Sequence, residues 1–576
     1  MKDALVETLE SAVAGLLSET GDADPPPPVV LDRPRHEDHG DFACNVAMVL
    51  AKRLGRPPRE IAERLIDRLG TAEGLLQRSE VAGPGFMNFW LAGGQWHDVL
   101  REIVVAGSEY GRSDTGQGRS VQVEFVSANP TGPLSTGHGR QAILGDCIAS
   151  LLERTGWAVT REYYFNNGGR QMRVLGQSLR ARYLERLGRA AAPPEPGVAE
   201  DDPAWKTRAG LPVEFPPDGY RGEYLDEIAR GLVESKQEQW LEEPADRGFR
   251  QVAEEEIFGG IRETLEKIGV DFDVFYSEQS LYEEGKLEET LADLRAKDLV
   301  YDAEEAVWLR STKLDLDRDR VLVKRTGEPT YLLPDIAYHR EKFRRGFDKV
   351  IDVLGADHIE QFPFVRAAVS ELDCDPDRLF LVMHQFVTLT RGGEKVKQST
   401  RRATFVTVDE LVEEVGVDVF RFFMIERRAD GHLDFDMDLA GDRNWRKNPA
   451  YYVQYAHART HGIERKASEE GIARPDPDDF EGSRLELPEE VELIRKLGEF
   501  PEMIERAAES QEPHHVAYYL RDLAGLWNPY LQDGKRHRIL SEDRGLTSAR
   551  LGLTLAVRAV LSSGLAMLGV RAPEQM

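Results

Sequence analysis

The sequence predicts an α/β protein of several domains, in which a doubly wound parallel sheet lies between an α+β N-terminal unit and an all-helical C-terminal unit. Three observations predict this architecture. At 576 residues, the chain is too long for a single hydrophobic core. From Val121, a strand, a Gly-rich loop, a helix and a second strand follow one another, which is typical of nucleotide-binding folds. After about residue 444, the apolar residues recur at helical spacing throughout.

The N-terminal unit is predicted to comprise residues 1–110. Helical periodicity covers 1–18 and 53–69, and the four prolines Pro25–Pro28 interrupt the chain between them. AGPGFMNFWL (82–91) is an alternating apolar run after a Gly-Pro-Gly turn, which predicts a strand. The Gly-rich segment at 111–119 follows as a linker.

The middle unit is predicted to comprise residues 111–443. VQVEFV (121–126) and WAVTREYYFN (157–166) are its first two strands, with a helix between them. Residues from about 170 to 290 resemble an insertion, because a Pro-rich stretch at 190–203 is followed by long charged helices. The α/β pattern then resumes with VWLR, VLVKR, KVIDVLG and RLFLVMHQFVTL.

The C-terminal unit, residues 444–576, contains four stretches that are each long and amphipathic enough for one helix. They are NPAYYVQYAHARTHGIERKA, LPEEVELIRKLGEFPEMIERAA, PHHVAYYLRDLAGLWNPYL and TSARLGLTLAVRAVLSSGLAMLG. We therefore expect a helical bundle.

Composition favours a cytoplasmic protein without a membrane partner. The N-terminus is amphipathic and lacks the layout of a signal peptide, and no apolar run approaches the ~18 residues of a membrane span. Cys44, Cys147 and Cys374 are far apart and form no CxxC pair, so neither a structural zinc site nor a disulfide framework is predicted.

The net charge of −28 weighs against a nucleic-acid partner, because it repels phosphates. Net charge is a sum over the whole surface, however, whereas binding depends on local patches. The acid excess has two interpretations: a surface selected for solubility, or one adapted to high salt. Adaptation to salt is slightly favoured, since screening would also weaken the repulsion of nucleic acid.

The first segment with chemical character is PLSTGHGR (133–140), at the predicted turn between the first strand and the first helix. A helix N-terminus offers free N–H groups and partial positive charge to phosphates. Gly137 and Gly139 would let the backbone approach a nucleotide, and His138 is placed to donate to phosphate oxygens. The alternative is a Gly-rich turn that happens to carry a histidine.

The second such segment is GGEKVKQSTRRATFVTVDELVEEVG (392–416). Lys395, Lys397, Arg401 and Arg402 lie beside small residues and are suited to clamp a polyphosphate. A solvated basic turn is the alternative. Both segments would lie at the carboxyl end of the same sheet, where open α/β folds bind nucleotides.

These segments resemble signatures of one family. Residues 123–146 resemble the arginyl-tRNA synthetase version of the class I signature usually written HIGH, and KQSTR (397–401) resembles the signature usually written KMSKS. FPPDGYRGEYLDEIA, YLLPDIAYHREKF and NPAYYVQYAHAR resemble the same family, and HGDFACNVAM resembles its extra N-terminal tRNA-binding domain. The resemblance covers essentially the whole chain.

The resemblance implies a Rossmann-like class I synthetase domain with an insertion, an N-terminal tRNA-binding domain and a C-terminal anticodon-binding bundle. It also implies a monomer that joins L-arginine to tRNA(Arg) through an arginyl-adenylate, with ATP and Mg²⁺, and that requires tRNA before the adenylate forms. The implied catalytic residues are His138, Lys397, Ser135 and Arg401, and the implied ATP contacts are Thr136, Gly137, His138, Gly139, Lys397 and Ser399.

An arginine pocket is implied as well. The family's guanidinium contacts correspond to Glu124, Tyr331 and Asp335, and its contacts to the amino-acid end correspond to Asn129 and His358. Carboxylates suit a planar cation, and Tyr331 and Asp335 are four residues apart, so one helical turn would align them. A carboxylate buried in VEFV is costly without a cation, which arginine would supply.

Tyr451, Gln454, Tyr455 and Arg459 share one predicted amphipathic helix and are the implied tRNA contacts. The alternative is that the aromatic residues form core. We expect Tyr455 to be partly packed, with Gln454 and Arg459 facing the anticodon arm.

Three departures leave an alternative open. Ser135 replaces the first His of the first signature, and Gln398 and Thr400 replace Met and Lys of the second. The alternative is a catalytically weakened paralogue that acts as a tRNA-binding protein. A synthetase for another amino acid is disfavoured, because a neutral side chain would leave the pocket carboxylates unpaired.

Overall fold

The computed structural model describes residues 2–20, 24–34, 39–70, 72–396, 405–477 and 481–576. The N-terminal unit packs helices on a four-stranded antiparallel sheet of order β1-β2-β4-β3. The hairpin between β3 and β4 requires Gly85, because a Cβ there would lie 2.8 Å from that of Pro58. The elements are α1 (Lys2–Glu19), β1 (Leu31–Asp32), β2 (Phe42–Cys44), α2 (Val46–Leu54), α3 (Pro58–Leu69), β3 (Leu76–Ala82), β4 (Phe86–Leu91) and α4 (Gly93–Ala106).

The next part of the chain begins with the predicted strand, helix and strand, and then adds helices. Its elements are β5 (Ser120–Glu124), α5 (Thr136–Arg154), β6 (Ala158–Phe165), α6 (Gly169–Arg186), β7 (Thr207–Arg208), β8 (Leu211–Pro212), α7 (Glu223–Lys236), α8 (Arg250–Lys267), β9 (Val274–Ser277), α9 (Glu278–Glu283) and α10 (Lys286–Ala296).

The rest of the middle unit contributes further strands and short helices. They are β10 (Val300–Ala303), β11 (Ala306–Leu309), β12 (Arg320–Val323), α11 (Leu332–Arg344), β13 (Lys349–Gly355), α12 (Phe362–Ser370), β14 (Leu379–His384), β15 (Val387–Arg391), β16 (Glu394–Lys395), α13 (Val408–Val415), α14 (Val417–Met424), β17 (Leu433–Asp436) and α15 (Met437–Gly441).

A five-stranded parallel sheet of order β14-β13-β5-β6-β9 forms the centre of the middle unit. The chain proceeds from β5 to one edge of the sheet and returns to its other side with β13. The switch point is therefore between β5 and β13, and the crevice at their carboxyl ends is where such sheets bind ligands.

Two expectations about this unit are corrected. VWLR and VLVKR belong to β11 and β12, which form a separate antiparallel sheet with β10 instead of joining the central one. The segment at about 170–290 contributes β9 to the edge of the central sheet, so it is not wholly an insertion. Short apolar runs do not reveal which sheet they join. The domain boundaries at 110/111 and 443/444 stay predictions.

The C-terminal unit is helical, as predicted. Its helices are α16 (Pro449–Glu469), α17 (Pro488–Gly498), α18 (Phe500–Ser510), α19 (His514–Tyr530) and α20 (Arg544–Met567). The stretch 487–508 was expected to form one helix but forms two, because Pro501 has no N–H to continue the helix before it. Among the described residues, one helix, α20, is long and apolar enough to cross a membrane. No such run was predicted from the sequence. However, 78% of its most apolar window is buried against the rest of the protein.

Candidate active site

Helix α5 begins at the switch point with a capping box. The Ser135 N–H donates to Nδ1 of His138 at 3.2 Å, and the His138 N–H donates to the Ser135 hydroxyl at 3.5 Å. Burial lowers the pKa of His138, and Asp357 opposes this only in part. His138 is therefore neutral at pH 7 with Nδ1 as an acceptor, so its proton is on Nε2, where it can be donated to a ligand. The structure thus gives Ser135 the capping function.

The two glycines of this turn differ. A Cβ on Gly137 would have only the Ser135 hydroxyl within 4 Å, at 3.7 Å, so the space beside it is open to a ligand. A Cβ on Gly139 would lie 2.8 Å from Phe420 and 2.9 Å from Val408. Gly139 is therefore required for the packing of α5 against α13 and α14, and its contact with ATP stays a prediction.

Residues that follow the second signature form hydrogen bonds with the first segment, PLSTGHGR. The Thr136 hydroxyl donates to the Val406 carbonyl at 3.0 Å, and the Val408 N–H donates to the Leu134 carbonyl at 2.9 Å. The signature residues themselves, Lys397, Gln398, Ser399, Thr400, Arg401 and Arg402, lie outside the described residues. Their flanks nevertheless bring the two segments, more than 250 residues apart, to one place.

His384, at the end of β14, is a site residue that the sequence did not reveal. It is 6% exposed, and its Nε2 has no hydrogen-bond partner among the described residues. Burial and the nearby Arg140 lower its pKa to about 4, so it is neutral at pH 7. Arg140 itself donates to the carbonyls of Gln385, Arg428 and Gly431 at 2.7–3.0 Å, which fixes α5 against these loops.

Glu124 ends β5 in a strained turn. After Phe125, Val126 and Ser127 have φ of +66° and +39°, which is costly for a β-branched residue such as Val126. The Ser127 hydroxyl donates to Glu124 Oε1 at 2.8 Å and accepts from the Tyr164 N–H at 3.1 Å. These hydrogen bonds hold the carboxylate in one orientation.

The cationic partner of Glu124 is a residue of the chain. Lys342 is fully buried, and its ammonium binds both Glu124 and Asp352. His339 contacts Asp352 Oδ2 at 2.7 Å and donates to the Asp335 carbonyl at 2.7 Å. The pKa of His339 is raised, because the Asp352 carboxylate outweighs the opposing effects of burial and Lys342. Glu124 thus does not depend on arginine for its counter-charge, which corrects the sequence argument.

Asp335 and Glu278 are different, because neither forms an ion pair with any of the described residues. Asp335 accepts a hydrogen bond from the neutral amide of Gln361. Glu278 is 5% exposed and accepts from the Tyr282 hydroxyl at 3.3 Å. Burial, together with Glu278 and Glu124, raises the pKa of Asp335 to about 7, and burial also raises that of Glu278. This uncompensated pair of carboxylates is suited to a cationic ligand.

A cleft of about 560 Å³ is lined by Gln361, the residue whose amide donates to Asp335. Tyr331, His358 and Gln361 line it, and Tyr331 is 59% exposed. Tyr331 immediately precedes α11, and the Asp335 N–H donates to its carbonyl at 3.2 Å, so one helical turn aligns the two residues as predicted. Asn129 is exposed in the loop after β5.

On α16, the two residues expected to face the anticodon arm, Gln454 and Arg459, are not fully exposed. Gln454 is 3% exposed, and its amide donates to Asp418 Oδ2 at 3.0 Å and to the Arg571 carbonyl at 2.9 Å. It therefore faces the interior and cannot contact an anticodon arm. Arg459 is half-buried and donates to the Asn528 carbonyl at 3.0 Å, while Tyr451 is half-buried.

An aromatic pair lies where the segment before α16 contacts the first part of that helix. Tyr455 stacks on Trp445 at 4.0 Å between ring centroids, and the exposed Arg446 covers the Trp445 ring at 4.5 Å. Arg443 and Lys447 are exposed beside it. This group of three cations and two rings is a local basic patch on an acidic protein.

The three units match three families in order. Residues 2–91 match the arginyl tRNA synthetase N terminal domain, residues 99–430 match the catalytic domain of the class I (R) tRNA synthetases, and residues 453–576 match the DALR anticodon binding domain. The chain belongs to the arginyl-tRNA synthetases. The resemblance inferred from the signatures and the predicted fold class are both confirmed.

Relatives match along the whole chain. It is 48% identical over 546 residues to the arginine–tRNA ligase of Desulfotalea psychrophila, covering 95% of this chain and 94% of that one. It is 44% identical to that of Salinibacter ruber, covering 99% of both. The solved arginyl-tRNA synthetase of Thermus thermophilus is 24% identical with a TM-score of 0.72, covering 99% of this chain and 100% of that one, and supports the fold.

Three residues of the candidate site, which are Glu278, Gln361 and His384, were not identified from the sequence. Glu278 and Gln361 lie within stretches that carry no signature. Glu278 directly follows β9, a strand that was not predicted from the sequence. His384 lies in the predicted strand segment RLFLVMHQFVTL, so its position at a strand end was an available signal. No local signal could have identified Gln361, since its partner Asp335 is 26 residues away.

Proposed function

We propose that this chain performs the reaction of its family, the ATP-dependent attachment of L-arginine to tRNA(Arg), with the arginine site at Asp335 and the ATP site at the first turn of α5. The observation that carries this proposal is the pair Asp335 and Glu278, two carboxylates that form no ion pair with any of the described residues. A guanidinium is planar, stays charged and binds carboxylates in a forked geometry.

In this proposal, Asp335 and Glu278 hold the guanidinium and the Tyr331 ring lies beside it. The cation–π contact would contribute ~0.5–2 kcal/mol. Asn129 and His358 are proposed for the amino-acid end. Glu124 is not proposed as a guanidinium contact, because its ion pair with Lys342 already balances its charge.

Activation proceeds by attack of the arginine carboxylate on the α-phosphorus of ATP, and the bond to pyrophosphate breaks. The terminal ribose hydroxyl of the tRNA then attacks the arginyl carbonyl, and AMP leaves. His138 Nε2–H is placed to stabilise the negative charge on the phosphate, beside the open space at Gly137. Thr136, Lys397, Ser399 and Arg401 are proposed to hold the rest of the triphosphate.

Mg²⁺ is proposed to enter with ATP. Among the described residues, the groups around the first turn of α5 are the imidazoles of His138 and His384 and the carboxylate of Asp357. These groups alone do not form a complete set of protein ligands for Mg²⁺. Mg²⁺ commonly takes one or two carboxylates and completes its shell with phosphates and water. Cytoplasmic location and the monomeric state stay predictions.

The alternative of a tRNA-binding paralogue is not favoured by any observation on the described residues. Ser135, the departure that suggested it, retains a function as the cap of α5. An arginine-dependent charging assay with matched tRNA tests the proposal, and a protein that charges no tRNA at low or high salt contradicts it.

Ser135→Ala separates capping from catalysis. If the hydroxyl only caps α5, the variant loses about 1 kcal/mol of unfolding free energy and keeps its rate. If it also contacts phosphate, adenylate formation slows by roughly tenfold to a hundredfold. The measurement is ATP–pyrophosphate exchange in the presence of tRNA(Arg), together with chemical unfolding. We expect His138→Ala to abolish exchange while the protein stays folded, and unchanged exchange would remove His138 from the site.

Arg446→Ala should weaken tRNA binding about tenfold, because it removes one exposed cation and the guanidinium that lies over the Trp445 ring. The slope of log affinity against log salt should fall in magnitude by about one. Filter binding over a salt series measures both. Arg366→Ala removes an exposed arginine that is paired with Asp377, and it serves as the control. Equal affinities for both variants would place the tRNA surface elsewhere.

A further inference from the structure

The turn between α18 and α19 brings together three potential metal ligands. Glu512, His514 and His515 each offer one ligand atom, and these atoms lie within 4.8 Å of one another. His515 Nε2 is 3.0 Å from Glu512 Oε2, and the two imidazole rings are 4.2 Å apart between centroids. The turn is held by backbone bonds from the N–H of His515 to the Glu512 carbonyl at 3.2 Å and from the N–H of Glu512 to the Ala507 carbonyl at 2.9 Å.

His514 is the third member of this cluster. The residue is 3% exposed, and neither ring nitrogen forms a hydrogen bond to any of the described residues. Tyr518 covers the ring edge-on at 5.3 Å between centroids. The ring nitrogens are not among the buried atoms that lack a partner, so they remain accessible to an ion.

We propose that Glu512, His514 and His515 form a binding site for a divalent transition-metal cation of the Zn²⁺ type. Two imidazoles and one carboxylate are the donor set of three-ligand zinc sites, which leave a fourth position for water. Glu512 and His515 are only half-buried, so an ion has access from solvent.

Two features limit the affinity. The Arg428 guanidinium is 3.5 Å from Glu512 Oε1, and the N-terminus of α19 carries partial positive charge. Both disfavour a cation, so we expect a dissociation constant on the order of micromolar. Binding would also compete with the Arg428 contact, which joins the C-terminal helices to the loop that accepts hydrogen bonds from Arg140.

The test is calorimetric titration of the full chain, stripped of metal with a chelator, with ZnCl₂ alone at pH 7.5. We expect one Zn²⁺ per chain, and Co²⁺ in its place should give the visible absorption of a tetrahedral site. Glu512→Gln and His515→Ala change half-buried residues, so the protein should stay folded, and each should weaken binding at least tenfold.

His432→Ala is the control, since it removes an exposed histidine that contacts Thr388 and Asp434 elsewhere. It should bind Zn²⁺ like the unchanged protein. The proposal is overturned if the unchanged chain binds no Zn²⁺ up to millimolar concentration, or if Glu512→Gln and His515→Ala bind as well as the control. Arginine charging is not required for any of these readouts.

Discussion

Asp335→Asn should raise the Michaelis constant for arginine at least 30-fold while leaving that for ATP nearly unchanged. The substitution removes a charged hydrogen bond from a partly buried site, which is worth roughly 2–5 kcal/mol. Folding stability should not fall, because Asp335 has no ion pair among the described residues and burial raises its pKa to about 7. Steady-state charging kinetics and thermal unfolding together check this. Unchanged arginine kinetics would remove Asp335 from the pocket.

The raised pKa also predicts how arginine binding depends on pH. Arginine prefers the ionised carboxylate, so its affinity should be highest above pH 7 and should fall as the pH drops through that value. At pH 6, about one-tenth of Asp335 is ionised, and the Michaelis constant should rise about tenfold. Asp335→Asn should lose this dependence. If the variant keeps the same pH profile, another group is responsible.

Arg421→Met should destabilise the protein by about 3–5 kcal/mol, because it leaves buried acceptors without their donor. Arg421 is fully buried and ion-paired with Asp146. It also donates to the carbonyls of Ile268 at 2.7 Å and Leu568 at 2.8 Å. It therefore connects α5, the end of α8 and the end of α20, and chemical unfolding should show the C-terminal helices separating at lower denaturant.

Arg295→Met is the matched control for Arg421→Met. Arg295 forms a two-bond pair with Asp302, but both side chains are about half exposed, so its loss should cost less than about 1 kcal/mol. In Arg421→Met the Asp146 carboxylate keeps its ion pair with Arg161, at 3.5 Å, so adding Asp146→Leu should restore only a small part of the stability. Equal costs for the buried and exposed variants would contradict the assigned function of Arg421.

The acidic surface does not prevent RNA binding in this arrangement. Acidic residues form many exposed ion pairs with arginines along the chain, and Lys447 itself pairs with Asp442 at 3.2 Å. Arg446, however, covers the Trp445 ring, and Arg443 is exposed two residues before that ring. Affinity depends on that local patch, and screening at higher salt weakens repulsion from the remaining surface.

The sequence by itself determined the features that local spacing specifies. The strand–loop–helix at 120–154 and the helical turn that joins Tyr331 to Asp335 depend on neighbours within a few residues. Signature order along the chain determined the family, because such segments are informative without knowledge of their contacts.

Only the tertiary structure decided how charges and polar groups are paired. Lys342, 218 positions from Glu124, supplies the counter-charge that the sequence assigned to arginine, and Gln454 faces Asp418 instead of RNA. Gly139 faces Phe420, and Glu278 approaches Asp335 from the far end of the sheet. Burial and long-range partners set these interactions, and neither is encoded in local periodicity.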